Sequence, residues 1–514
     1  MGTGGSLSRL LWVERGNFYT FPAGPLAEPS SFLPEARGPH FSPGANVNPE
    51  DTVNERDNYA AYLASKKVEA PTAGFPATVT NAALWDWQRA TVDWALGLGR
   101  AALFADTGLG KTRMQLQWAR EIADHTGGRV LILAPIAVGA QTVREAKAAN
   151  IGGVEHDRTG EGNAPITVAN YEMLHRFGPA DFVGVVLDES GILKHLLGKM
   201  RTRIIGAFTA TPYRLACTAT PAPNDVVELG NHAQFLGLMT HAEMLARWFV
   251  NDAGKSNAWR IKRHAVRHYW DWVSSWARCI GVPSDIGPYS DDGYVLPDLN
   301  LILEKVATDL TVDRGDQLFR SADMSATSIH QEKRRTATDR AARVAELIAA
   351  EPDEQWLVWV ETNYDAQAVM AALPASAEAL EVKGPDKLGT KEARLLGFAD
   401  GQIRTLVTKP KIAGFGLNWQ NCARMAFAGP SYSYEALYQA IRRCWRFGQT
   451  REVHAHACLA ETELTIWQTL ERKRAGHETM KVEMFEASRR AAHKTAHRPT
   501  YVTQPCSLPT WMRR

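Results

Sequence analysis

The residues most able to do chemistry are Ala105-Asp106-Thr107-Gly108-Leu109-Gly110-Lys111-Thr112, set between an apolar run and a helical pattern that starts near Lys111. Glycines let successive backbone N–H groups turn inward at a helix N-terminus, which is how a chain cradles phosphate. In such a loop Lys111 reaches the β and γ phosphates of a nucleotide and the Thr112 hydroxyl ligates Mg2+. Asp106, Thr107, Gly108, Leu109 and Gly110 form the cradle itself, with Ala105 where a first glycine is usual. A second group, Val185-Val186-Leu187-Asp188-Glu189, is an apolar strand ending in two acids, which calls for a nearby cation. Taken alone, such a pair also reads as a helix cap. Beside Lys111 it reads as a metal carboxylate, Asp188, and a water-activating carboxylate, Glu189. The third group is Gln439, Arg442, Arg443 and Arg446, on a helix expected over Tyr434–Arg446. Arg443 and Arg446 lie three apart and so share a face. Arginines supplied across a cleft accelerate phosphoryl transfer by on the order of 10³ to 10⁵ and make it depend on closure. A solvated basic face is the competing reading of these arginines by themselves.

Two domains are needed to bring these groups together, and 514 residues favour two domains over one core. Short apolar runs at Ala101–Ala105, Val130–Ala134, Ile166–Ala169, Val183–Leu187 and Arg214–Cys217 alternate with helical patterns, the signature of a parallel sheet wrapped by helices. The alternation resumes at Trp356–Val360, Thr405–Val407, Met425–Ala428 and His454–Cys458. The expected plan is an N-terminal extension (1–55), a first α/β lobe (56–230), a Trp-rich, basic, helical insertion (231–295), a second α/β lobe (296–474) and a basic tail (475–514). The six cysteines include no C-x-x-C pair, so neither a zinc ribbon nor a disulfide framework is suggested, and a reducing cytoplasm fits. No apolar run is long enough to span a membrane, and the first residues lack a secretory pattern.

In order and in combination these motifs resemble helicase superfamily two, specifically the Swi/Snf-type translocase ATPases, and more closely the short DEAD/DEAH-box versions carried by phages and prophages. The resemblance runs from about Leu84 to Arg474. Trp87-Gln88 is similar to the family's adenine-reading glutamine, and Asp106–Thr112 to its Asp-Glu-Met-Gly-Leu-Gly-Lys-Thr loop. Leu133-Ala134-Pro135 and Asn170-Tyr171-Glu172-Met173-Leu174 resemble two DNA-tracking motifs, and Thr218-Ala219-Thr220-Pro221 resembles a Thr-Gly-Thr-Pro coupling motif. Gly414-Phe415-Gly416-Leu417-Asn418 and Gln439–Gln449 resemble two motifs of the second lobe, the latter identifying Arg443 and Arg446 as the fingers. The resemblance implies two tandem RecA-like parallel-sheet lobes that bind ATP and Mg2+ and act on duplex DNA as a monomeric motor. Phage or host replication and recombination proteins are implied as further partners. Pro135, Asn170, Tyr171, Thr218, Thr220, Gly414, Gly416 and Asn418 are the implied nucleic-acid contacts. Three departures bear on coupling: Ser190-Gly191 stand for Ala-His after the acids, Trp445 for a histidine, and Arg442 for a glycine.

Base-independent grip needs only donors near phosphate, so the residues themselves say less about DNA. His241–Ile280 carries seven Lys or Arg against three acids, with five tryptophans interleaved. Tyr269, Trp272 and Trp276 fall at helical spacing, which favours a core over stacking on bases. From Ala487 the chain has six Lys or Arg and no acid, suited to phosphate contact or to a solvated terminus. Three other functions remain open at this stage: a strand-separating helicase on DNA or RNA, an ATP-gated clamp, and the motor subunit of a restriction or defence complex.

Overall fold

Runs of small and β-branched apolar residues separated by amphipathic helices fold into two parallel sheets, as their alternation dictates. The computed structural model describes residues 73–135, 138–194, 198–251, 259–308, 326–412 and 418–493. The N-terminal extension therefore lies outside the described residues, as do Gly414, Gly416 and the end of the basic tail. All the described residues belong to one compact unit.

Lobe 1 comprises β1 (Arg100–Ala105), β2 (Arg129–Ala134), β3 (Val154–His156), β4 (Ile166–Asn170), β5 (Phe182–Asp188) and β6 (Tyr213–Cys217). After a two-stranded antiparallel ribbon of β7 (Phe249–Asn251) and β8 (Trp259–Ile261), the chain adds β9 (Ala277–Ile280) to the same sheet. The order is β3-β4-β2-β5-β6-β1-β9, with parallel pairing throughout. Lobe 2 comprises β10 (Leu299–Val306), β11 (Trp356–Val360), β12 (Ala379–Val382), β13 (Thr405–Thr408), β14 (Arg424–Ala428) and β15 (Val453–Ala460), ordered β10-β15-β14-β11-β13-β12 and again parallel. These are the two tandem RecA-like lobes the sequence implies.

The segment 231–295 is helical, with helices His241–Trp248 and Val266–Trp276, but it also supplies β9, which periodicity missed. Tyr269, Trp272 and Trp276 are buried, and Trp276 packs edge-on against Phe104 of β1. These three aromatic residues fill a core.

The tail expected from residue 475 begins inside a helix, Leu464–His493, which leaves lobe 2 after β15 and packs along Val266–Trp276 and β9 of lobe 1. Arg490 pairs with Asp271 at 3.0 Å on that contact. Among the described residues no helix is long and apolar enough to cross a membrane.

Candidate active site between the lobes

Parallel sheets present ligands at the carboxyl ends of their strands. In lobe 1 the register sets Asp188 opposite Cys217, so Glu189 and Thr218 leave the sheet side by side. The Thr218 hydroxyl donates to Glu189 Oε2 at 3.1 Å. β1, two strands from β5, runs straight into the glycine loop, whose Gly110 has φ +74°. That conformation favours glycine, and Gln88 Nε2 fills the space a Cβ there would take, 2.5 Å away.

Lys111 opens the helix Lys111–Thr126, and its ammonium donates to the carbonyls of Ala105 at 2.6 Å and Asp106 at 3.1 Å. Burial lowers its pKa against the pull of Glu189, Asp106 and Asp188. Asp188 is 7% exposed and accepts from Gln115 Nε2 at 2.8 Å; burial raises its pKa, and Gln115 and Lys111 oppose the rise. Glu189 is raised by burial too, with Lys111 pulling it back. It is a non-glycine residue at φ +56°, ψ +58°, a left-handed conformation that costs on the order of 1 kcal/mol and that proteins hold at working sites. Thr112 is half-buried beside Lys111.

The remaining lobe 1 residues are placed less as the sequence implied. Gln88, 3% exposed, donates to the Leu109 carbonyl at 3.0 Å and accepts from the Trp85 amide at 3.0 Å, so it braces the loop with both ends of its amide. Tyr171, Thr218 and Thr220, implied on nucleic acid, are all buried. Tyr171 turns inward because its hydroxyl donates to the Asp188 carbonyl at 2.7 Å, and Thr218 because it holds Glu189. Asn170 is also buried, with its Nδ2 unpartnered, whereas Pro135 is half-buried at the end of β2 and Asn418 is exposed.

Lobe 2 meets this surface through the helix Tyr434–Ile441. The expected helix over Tyr434–Arg446 is shorter: it ends at Ile441, and Arg442–Gly448 form successive turns. Arg443 and Arg446 thus do not share a helical face. The turns are fixed by Gln449 Nε2, donating to the carbonyls of Cys422 at 3.1 Å and Cys444 at 3.3 Å, and by Trp445 Nε1, donating to the Pro297 carbonyl at 2.7 Å. Arg442 reaches the loop, donating to Thr107 Oγ1 at 2.5 Å and to the Thr107 carbonyl at 2.9 Å. Arg443 is close enough for its charge to act on Glu189, and burial lowers its pKa. Arg446 is lowered to about 10 by burial and by the neighbouring Arg443 and Arg442. Neither finger has an ion-pair or hydrogen-bond partner for its guanidinium among the described residues. Gln439 is half-buried on the same helix.

Several participants escaped sequence reasoning. Asp106 accepts from the Tyr438 hydroxyl at 3.0 Å and from Lys481, on the long C-terminal helix, at 3.0 Å. Burial would raise Asp106, but Lys481 and Arg442 hold it well below the usual carboxylate range. Tyr294 joins Trp87 and Phe447 in an aromatic row, with centroids 5.8 Å and 5.0 Å apart, and Phe447 comes close over Gly108. Phe447 lies within the stretch Gln439–Gln449 that the resemblance singles out; Tyr294 and Lys481 carried no signal.

Residues 339–448, which hold Gln439, Arg443, Arg446 and most of the second sheet, match the helicase conserved C-terminal domain. Among solved structures, the chain is similar to the Sulfolobus solfataricus SWI2/SNF2 ATPase core in complex with dsDNA, at 18% identity and a TM-score of 0.37, covering 81% of this chain and 96% of that one. No curated protein matches the chain.

Proposed function

We propose that this chain is an ATP-hydrolysing motor that moves on duplex DNA, holding ATP and Mg2+ between its lobes. The observation that carries the reading is the meeting of Lys111, Asp188 and Glu189 from lobe 1 with Arg443 from lobe 2, with Arg442 on the glycine loop and Arg446 beside both. Three cations around a glycine cradle and a buried carboxylate suit a magnesium triphosphate. When bound, the nucleotide supplies the phosphoanhydride whose cleavage drives the cycle.

The chain's own groups do the rest. Lys111 would exchange two backbone carbonyls for phosphate oxygens, Thr112 and Asp188 would hold the metal, and Phe447 with Tyr294 offers an aromatic surface for the base. Glu189, steadied by Thr218, orients a water and takes its proton, while Arg443 and Arg446 neutralise developing charge. Tyr171 ties the end of β4 to Asp188, a direct link from the rim carrying Asn170 and Pro135 to the acids. Asn418 gives lobe 2 its phosphate grip, and Gly414 and Gly416, outside the described residues, are proposed to share in it. Alternate tightening of the two rims steps the motor along one strand.

The test is steady-state ATP hydrolysis without nucleic acid and with duplex DNA, single-stranded DNA or duplex RNA. Stimulation by duplex DNA that grows with its length is expected, and Glu189→Gln should retain ATP without turning it over. Normal turnover in Glu189→Gln, or indifference to every nucleic acid, would sink the reading. Stimulation by single strands together with strand displacement would replace it with a strand-separating helicase.

A further inference from the structure

We propose that the ion pair between Lys194 and Glu435 sets the register in which the two lobes close, placing the finger arginines over the acid pair. The inference deepens the motor reading and rests on it for its catalytic consequence.

The pair joins residues 241 positions apart, one on each lobe, and both side chains are largely shielded, at 22% and 14% exposure. At the lobe 1 end, Lys194 closes the tight turn that begins at Glu189, in which Ile192 N donates to the Glu189 carbonyl and Lys194 N to that of Gly191. Asn231 Nδ2 donates to the carbonyls of Leu193 at 2.9 Å and Lys194 at 3.3 Å, and Ser190 Oγ lies 3.1 Å from His232 Nε2. The turn is thereby fastened to the helix Leu229–Leu236, and movement at Lys194 is movement at Glu189.

The lobe 2 end is equally stiff. Glu435 lies in the first turn of Tyr434–Ile441, which is capped by Ser433 and leads directly to Arg442, Arg443 and Arg446. Six residues of helix, about 9 Å, separate Glu435 from the first of those turns. A second observation ties Glu435 to the same place: a Cβ on Gly191 would stand 2.6 Å from Glu435 Oε1. The missing side chain at 191 is what lets the carboxylate descend onto the turn. Neither partner reaches the glycine loop, so the pair acts as a positioning contact and not on the nucleotide.

The experiment measures the distance between spectroscopic probes at the exposed Glu161 and Glu392, one on each lobe, in protein free of nucleotide and nucleic acid. Lys194→Glu and Glu435→Lys should each lengthen that distance, and the two together should restore it. In parallel, each reversal should lower the DNA-stimulated kcat at least about tenfold with KM for ATP nearly unchanged, and the double reversal should recover it to within about threefold. If reversal unfolds the protein, the neutral variants Lys194→Met and Glu435→Gln carry the test: each should lengthen the distance, and the pair should add nothing further. An unchanged distance in the single variants, or a double reversal that fails to restore it, overturns the proposal. A wild-type protein without ATP turnover would defeat the motor reading, and the distance measurement would still decide the ion pair.

Discussion

The two faces of the cleft are built in opposite ways. On lobe 1 nearly every polar group of the site already has a partner: Lys111 on two carbonyls, Asp188 on Gln115, Glu189 on Thr218, Gln88 on the loop backbone. On lobe 2 the finger guanidiniums have none among the described residues. A surface whose groups are held by its own fold is preorganised and binds with little rearrangement, whereas crowded unpaired cations favour any anion brought to them. On the proposed reading, recognition of the nucleotide would belong to lobe 1, and sensing that it has arrived to lobe 2.

Removing the fingers should break that asymmetry most severely. Arg443→Ala or Arg446→Ala is expected to lower the turnover rate by on the order of 10³ or more while changing ATP affinity little. Single-turnover kinetics set beside equilibrium binding measures both; equal losses in the two would show that lobe 2 shares in recognition. The next effect concerns Asp106, the lobe 1 group whose partners come from elsewhere. Lys481→Met removes the nearest cation from Asp106, a carboxylate only 13% exposed that keeps Tyr438 and Arg442, and should cost roughly 2 kcal/mol of stability in denaturant unfolding, with Asp106→Asn in the same chain recovering most of it. The absence of that recovery would mean that Lys481 does not act through Asp106. The smallest effect is on pH dependence. Burial holds His232 and His477 near a pKa of about 4, so the unfolded chain takes up their protons first and stability falls as pH drops from about 6.5 toward 4. Burial raises Glu228 to about 7, and its contribution runs the other way, being lost as pH rises from about 4.5 to 7. Relative to the unaltered chain, His232→Gln should therefore raise the denaturation midpoint at pH 5 against that at pH 6.5, and Glu228→Gln should lower it.

The two sheets were legible because both lobes write their central strands as apolar runs, and the glycine loop and acid pair because their chemistry demands particular residues at fixed spacing. The shortened helix at Ile441 was not, since the bonds that end it run to Thr107 and Pro297. β9 escaped because Ala-Arg-Cys-Ile has neither a β-branched run nor alternation, and it becomes a strand only against β1. Lys481 was hidden because its partner lies 375 residues away and a basic tail looks the same whether solvated or docked. The left-handed conformation of Glu189 is imposed by its surroundings, which local residue preference cannot announce.

The long helix from Leu464 to His493 turns an open string of two lobes into a ring. The chain passes from lobe 1 to lobe 2 between Ile280 and Leu299, then returns along that helix to the strand it left. Bodies tethered at one point can swing in any direction, but bodies tethered at two are left with rotation about the line between the tethers. Whatever the cleft does during a cycle, the connectivity of this chain has already chosen its axis.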